Sequence, residues 1–165
     1  MSKLIIIRGN SGSGKSVVAS RVRRELGYGT MLIPQDTIRR EILRVKDELQ
    51  NPAIKLIGEI ARYGSSVQYD VIIEGILSKE KYGDMLKSLS PLFDKTYVFY
   101  FDISFEETLR RHQTKRDKRH EFGEKEMKGW WLENDVLGLV DETLIGESLS
   151  EDDAVQLILN KVMQF

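Results

Sequence analysis

Apolar positions fall along the chain in two rhythms. Short continuous runs, Leu4-Ile5-Ile6-Ile7, Val71-Ile72-Ile73 and Tyr97-Val98-Phe99-Tyr100-Phe101, alternate with stretches where apolar residues recur every three or four positions. Continuous runs of this length mark strands buried on both faces, and their alternation with helices predicts a parallel sheet covered on both sides. The first strand is expected over Lys3 to Arg8 and the first helix over Lys15 to Leu26, with Gly27 as its stop. A short second strand, Thr30 to Ile33, ends at Pro34, and a helix from Thr37 to Leu49 carries Ile38, Ile42, Val45 and Leu49 on one stripe. Asn51-Pro52 reads as a cap followed by proline at the first helical position, starting a helix to about Val67. Strand three is Asp70 to Gly75, followed by a helix near Lys79 to Leu89, and strand four is Thr96 to Asp102. Ser104 and Glu107 are spaced as a capping box for a helix from Phe105 to about Thr114. A helix bearing Trp130 and Trp131, a short strand Thr143 to Ile145 and a last helix capped by Ser150 complete the order.

Composition adds limits. The 165 residues suit a single domain with a sizeable core. A net charge of -1 gives no global basic field for duplex DNA, and the lack of cysteine removes disulfides and thiolate metal sites. No apolar run approaches the ~20 residues of a membrane helix, and Met1-Ser2-Lys3 leads straight into the first strand without a signal sequence. The expectation is a cytoplasmic protein.

Between the first strand and first helix stands Gly9-Asn10-Ser11-Gly12-Ser13-Gly14-Lys15-Ser16. This is the phosphate-binding loop signature in its required strand–loop–helix setting. Glycines let the backbone approach phosphates, and loop N–H groups with the helix N-terminus aim partial positive charge at an anion. Lys15 is expected to reach the β- and γ-phosphates, and Ser16 to hold Mg²⁺.

In open α/β sheets ligands bind beyond the carboxyl ends of the strands. Acids stand there on three further strands: Asp36 after strand two, Glu74 ending strand three and Asp102 ending strand four. Asp36 is the candidate general base for an acceptor hydroxyl. Arg39, one turn on, is placed to hold an anionic group of the acceptor. Glu74 is the candidate acid for Mg²⁺ or for the acceptor. Each also has a plainer reading as a helix cap, and for Asp102 that reading is equally good.

The segment Arg110 to His120 carries six Lys/Arg in eleven residues. Such a run is either a solvated helix face or a lid whose cations close over a triphosphate, with Arg111 and Arg116 the expected contacts. RNA backbone contact is the second reading of the patch. His112 and His120 lack partners for a zinc set. Adjacent tryptophans point about 100° apart on a helix, so at most one of Trp130 and Trp131 faces a pocket.

Thr114-Lys115-Arg116-Asp117 has the letters of a guanine-specificity motif, but Arg110-Arg111-His112-Gln113 before it is no strand. Larger ATPase machines need more chain than is present. What remains is a small kinase. The loop with Ile5-Ile6-Ile7-Arg8 before it, Gln35-Asp36-x-x-Arg39, Val71-Ile72-Ile73-Glu74-Gly75 and the basic segment together resemble the zeta-toxin, chloramphenicol phosphotransferase and polynucleotide kinase group of small AAA-type P-loop kinases. The resemblance implies a three-layer α/β P-loop fold, with a five-stranded parallel sheet in order 2-3-1-4-5 and a basic lid at about 110–126. It implies ATP·Mg as donor, Asp36 as base, Glu74 as the acceptor-side or metal-side acid, and adenine near Gly146 to Leu149. Members often carry an arginine shortly after the strand-three acid, whereas Gly75-Ile76-Leu77-Ser78-Lys79 follows here, so the acceptor stays open. The function expected is transfer of the γ-phosphoryl of Mg·ATP to a hydroxyl or phosphate of a small acceptor. The alternatives are an ATP-binding regulator without an acceptor and a polynucleotide 5′-end kinase.

Overall fold

The computed structural model describes residues 1–115 and 122–164. Arg116, Lys118, Arg119 and His120 of the basic segment lie outside the described residues. Five strands, β1 (Lys3–Gly9), β2 (Thr30–Pro34), β3 (Asp70–Gly75), β4 (Lys95–Asp102) and β5 (Glu142–Gly146), form a parallel sheet in the order β2-β3-β1-β4-β5. The α-helices among the described residues are α1 (Lys15–Leu26), α2 (Pro52–Ser66), α3 (Lys79–Leu89), α4 (Phe105–Gln113), α5 (Glu124–Trp130) and α6 (Glu151–Met163).

Side chains alternate across a strand, so each central run feeds two cores. Leu4 and Ile6 of β1 join Val71 and Ile73 of β3 beneath α2 and α3. Ile5, Ile7 and Ile72 face the other way, onto Val18 and Val22 of α1 and Ile158 and Val162 of α6. A strand covered on both faces has no polar side to show, which is why β1 and β3 read as unbroken apolar runs.

Register places the site. Glu74 pairs with Ile7 on one side and Pro34 on the other. Two residues beyond Ile7 the phosphate loop begins at Gly9, and two beyond Pro34 stands Asp36. The loop, Asp36 and Glu74 therefore share one edge.

The caps behave as expected at α2, where Asn51 Oδ1 accepts from Ala53 N at 3.0 Å, and at α6, where Ser150 Oγ accepts from Asp153 N at 3.1 Å. Gly27 stops α1 with φ 81°. Two expectations are corrected. The helix after β2 is a π-helical turn over Thr37–Leu43, and Arg44 ends it in the left-handed region at φ 54°. The supposed stripe splits: Ile38, Leu43 and Val45 pack on the core, while Ile42 and Leu49 are exposed. Wider turns bring Leu43 inward in place of Ile42. At α4, Ser104 Oγ accepts from Glu107 N at 3.3 Å, but the Glu107 carboxylate does not return to close the box. It takes charge-assisted bonds from Arg110 and Arg111 instead, which are stronger than a neutral amide contact.

Candidate active site

The chain leaves β1 at Gly9 and enters α1 at Lys15 through a tight loop. Gly12 has φ +80°, and a Cβ there would stand 2.6 Å from the Thr108 carbonyl oxygen, so the loop packs against α4 with no room for a side chain. Gly14 opens α1 at φ 92°. Lys15 is 7% exposed and donates from Nζ to the Asn10 carbonyl at 3.1 Å. Ser16 Oγ lies 3.1 and 3.2 Å from the two carboxylate oxygens of Glu74, which is itself buried. The Ser13 hydroxyl is buried with no hydrogen-bond partner among the described residues.

Two cavities flank the Ser11–Ser16 part of this loop. One, of about 450 Å³, opens between Ser13, Gly14, Phe101, Arg111, Gly146 and Leu149. Arg111 is held in its wall: Nη1 donates to the Ser13 carbonyl at 2.8 Å, Nη2 to the Glu147 carbonyl at 3.4 Å, and Nε to Glu107 at 2.9 Å. Hydrogen bonds from Arg110 and then Arg111 hold the Glu107 carboxyl down to about 2. Its folded value lies below the ordinary 4.5, so the pairing contributes fully above that value and fades as pH falls toward 2. At neutral pH Arg111 is anchored.

The other cavity, of about 610 Å³, is bounded by Lys15, Ser16, Asp36, Arg39, Glu74 and Trp130. Asp36 is 57% exposed, makes no side-chain cap bond, and has Arg39 Nη2 at 3.5 Å and Arg40 Nε at 3.7 Å. Arg39 also donates from Nη1 to the Val45 carbonyl at 3.1 Å. Arg40 lies over the rings of Phe122 and Trp130 at 5.6 and 5.7 Å. Of the adjacent tryptophans, Trp130 faces this cavity, and Trp131 packs edge-on against Phe105 at 5.4 Å. Asp102 is not brought here; it lines a separate cavity with Ser104 and Trp131. His112 is buried, stacks on Phe122 at 4.6 Å, and has Nε2 2.9 Å from the Phe122 carbonyl.

Arg8, the last residue of the expected first strand, is a hub in the structure. It is fully buried and donates to the Leu77 carbonyl, to the Asp135 carbonyl and carboxylate at 2.6 Å each, and to Glu142 at 3.1 Å. Asp135 also accepts from Lys79 N at the start of α3, at 3.0 Å. The available signal was a lone cation closing a buried apolar run. Removing one member of a buried ion pair costs about 3–5 kcal/mol, so Arg8→Met is expected to lower the urea midpoint by that equivalent at unchanged slope. An unshifted midpoint would contradict this.

Fold, loop and flanking cavities define a P-loop nucleotide-binding protein. The chain belongs to the AAA domain family AAA_33, whose model matches residues 4–130. Among solved structures, a gluconokinase from Sinorhizobium meliloti 1021 is similar with TM-score 0.71 and 21% identity, over 96% of this chain and 90% of that one. The Mycobacterium tuberculosis APS kinase, solved with AMPPNP and APS, has TM-score 0.68 and 17% identity over 99% and 98% of the two chains. A shikimate kinase from Bacteroides thetaiotaomicron has TM-score 0.60 and 12% identity over 98% of each chain. At these identities the likeness establishes the fold shared with small P-loop kinases. No curated protein sequence matches the chain significantly. Among the described residues no helix is long and apolar enough to cross a membrane.

Proposed function

We propose that the protein is an ATP-dependent phosphotransferase acting on a small acceptor, with one kinase domain spanning the chain and a basic lid at about 110–126. The observation that carries this reading is the pair of cavities meeting across one loop. Ser13 and Gly14 line the first, while Ser11, Lys15 and Ser16 line the second. A donor nucleotide in the first presents its terminal phosphate toward an acceptor in the second.

The first cavity takes the base near Gly146 to Leu149, and the loop N–H groups of residues 9 to 16 take the phosphates. Lys15 offsets the charge that builds on the β,γ-bridging oxygen as its bond to phosphorus breaks. Asp36 accepts the acceptor's hydroxyl proton as the new O–P bond forms. Arg39 orients the acceptor. Arg111, which reaches the loop from α4, and Arg116 in the lid supply further positive charge.

Among the described residues no group of three or more His, Cys, Asp or Glu could hold a metal ion alone. The Ser16 hydroxyl and Glu74 carboxylate offer the hard oxygen donors that suit magnesium, which takes the rest of its shell from phosphates and water. Magnesium, when bound there, neutralises phosphate charge. The finer membership of the zeta-toxin, chloramphenicol phosphotransferase and polynucleotide kinase group is supported by Asp36 and Glu74 lining one cavity with Lys15.

The test is ADP release from Mg·ATP over a panel of nucleosides, nucleoside monophosphates, nucleotide sugars, aminoglycosides, phenicols, sugars, and RNA and DNA 5′ ends. One small-molecule class is expected to stimulate release. Stimulation by polynucleotide ends with steep salt dependence would replace the small acceptor. Tight ATP binding with no stimulation would favour a nucleotide-binding regulator.

A further inference from the structure

Asn10 faces two ways. Its backbone belongs to the phosphate loop, and its carbonyl accepts from Lys15 Nζ at 3.1 Å and from Ser13 N at 3.3 Å. Its side chain turns away, toward the strap between α5 and β5. Asn10 Oδ1 accepts from Leu132 N at 2.8 Å, and Asn10 Nδ2 donates to the Leu132 carbonyl at 2.7 Å. The amide orientation is determined by this reciprocity, because a flipped amide would set N–H against N–H. Residues 131–141 contain neither helix nor strand, so the backbone groups of Leu132 depend on a side chain for partners.

Two residues of the strap, Leu132 and Asp135, line the acceptor cavity beside Trp130. Trp131, Leu132, Glu133 and Asn134 line, with Asn10, the separate cavity that holds Asp102. Asp135 is tied to Arg8, two residues before Asn10, at 2.6 Å. The residues on either side of Gly9 therefore anchor one wall of the neighbouring cavity. The loop backbone supplies the link to nucleotide. Phosphates draw the Lys15 ammonium off the Asn10 carbonyl but bind the loop N–H groups on either side, which fixes the Asn10 backbone and with it the side chain that holds the strap.

We propose that Asn10 is a positioning residue, which makes order in the acceptor-side wall at Trp130–Asp135 depend on nucleotide in the phosphate loop. The inference rests on the phosphotransferase reading in taking nucleotide as the loop's ligand and the second cavity as the acceptor's. Because coupling is reciprocal, an acceptor seated against the strap tightens nucleotide binding by the same factor.

The experiment is amide hydrogen exchange at Leu132 and its neighbours, read by NMR with and without saturating Mg·AMPPNP. Calorimetry on the same samples establishes saturation for each protein. In the wild type, Mg·AMPPNP is expected to slow exchange at Leu132 roughly tenfold, within the usual range of coupling between sites. In Asn10→Ala, exchange at Leu132 begins roughly tenfold faster, as two lost hydrogen bonds require, and no longer responds to nucleotide. Asn10→Asp keeps nearly the same shape but sets a carboxylate oxygen against the Leu132 carbonyl. It is expected to behave as Asn10→Ala does and serves if that variant fails to fold. A purely structural role would speed exchange while leaving the nucleotide response in place, and that result overturns the proposal. So does a wild-type strap that ignores bound AMPPNP, or loss of nucleotide binding in both variants, which would confine Asn10 to the loop. A wild type that binds no AMPPNP fails at calorimetry, sinking the phosphotransferase reading and this inference with it.

Discussion

Lys15→Ala is expected to lower kcat/KM for phosphoryl transfer roughly 10³-fold, the order seen when one preorganised charge-stabilising donor is removed. That corresponds to about 4 kcal/mol of transition-state stabilisation. The argument is positional. Lys15 is nearly buried at the junction of the two cavities, where a cation acts in a low local dielectric. On the proposed reading, charge develops there on the bridging oxygen as its bond to phosphorus breaks. Alanine keeps α1 intact, since it is the best helix former, and the far-UV circular dichroism spectrum should be unchanged. The measurement is steady-state ADP release with the acceptor found in the panel. A folded Lys15→Ala protein that keeps wild-type turnover would show that transfer does not occur at this loop.

Asp36→Asn is expected to lower kcat by roughly 10²–10⁴, the range for loss of a general base. The competing account makes Asp36 a helix cap, and its side chain makes no cap hydrogen bond. Its ion pairs with Arg39 and Arg40 are long and Asp36 is half exposed, so losing them costs no more than about 1 kcal/mol. Rate and stability should therefore separate: a large fall in turnover beside a nearly constant melting temperature. ATP binding should persist, because Asp36 lines the second cavity and not the first. Unchanged turnover by the folded variant would remove Asp36 from the chemistry and leave proton acceptance to solvent or to Glu74.

Much of the fold was legible because its signals are local. The eight residues from Gly9 to Ser16 carry their own conformational requirements, and unbroken apolar runs follow from burial on two faces. The caps at Asn51 and Ser150 are bonds within three residues. The π-helical turn was hidden because the stripe through Ile38, Ile42, Val45 and Leu49 fits an α-helix equally well in sequence. Only the shape of the core beneath α2 chose Leu43 over Ile42. The partner of Glu107 is hidden for a related reason: its spacing to Ser104 is as good as its spacing to Arg110 and Arg111, and charge decides.

By itself the sequence determined the phosphate loop, the layered parallel architecture and the edge on which the acids Asp36 and Glu74 would stand. These depend on residues close in the chain or on the period of burial. The tertiary structure alone decided that Arg8 is a buried hub reaching Asp135, 127 positions away, that Asn10 holds Leu132, 122 positions away, and that Trp130 rather than Trp131 faces the cavity. Such pairings join segments with no periodic relation to one another. They are set by which backbone groups folding leaves without partners, and that is known only once the sheet, the loop and the strap are in place.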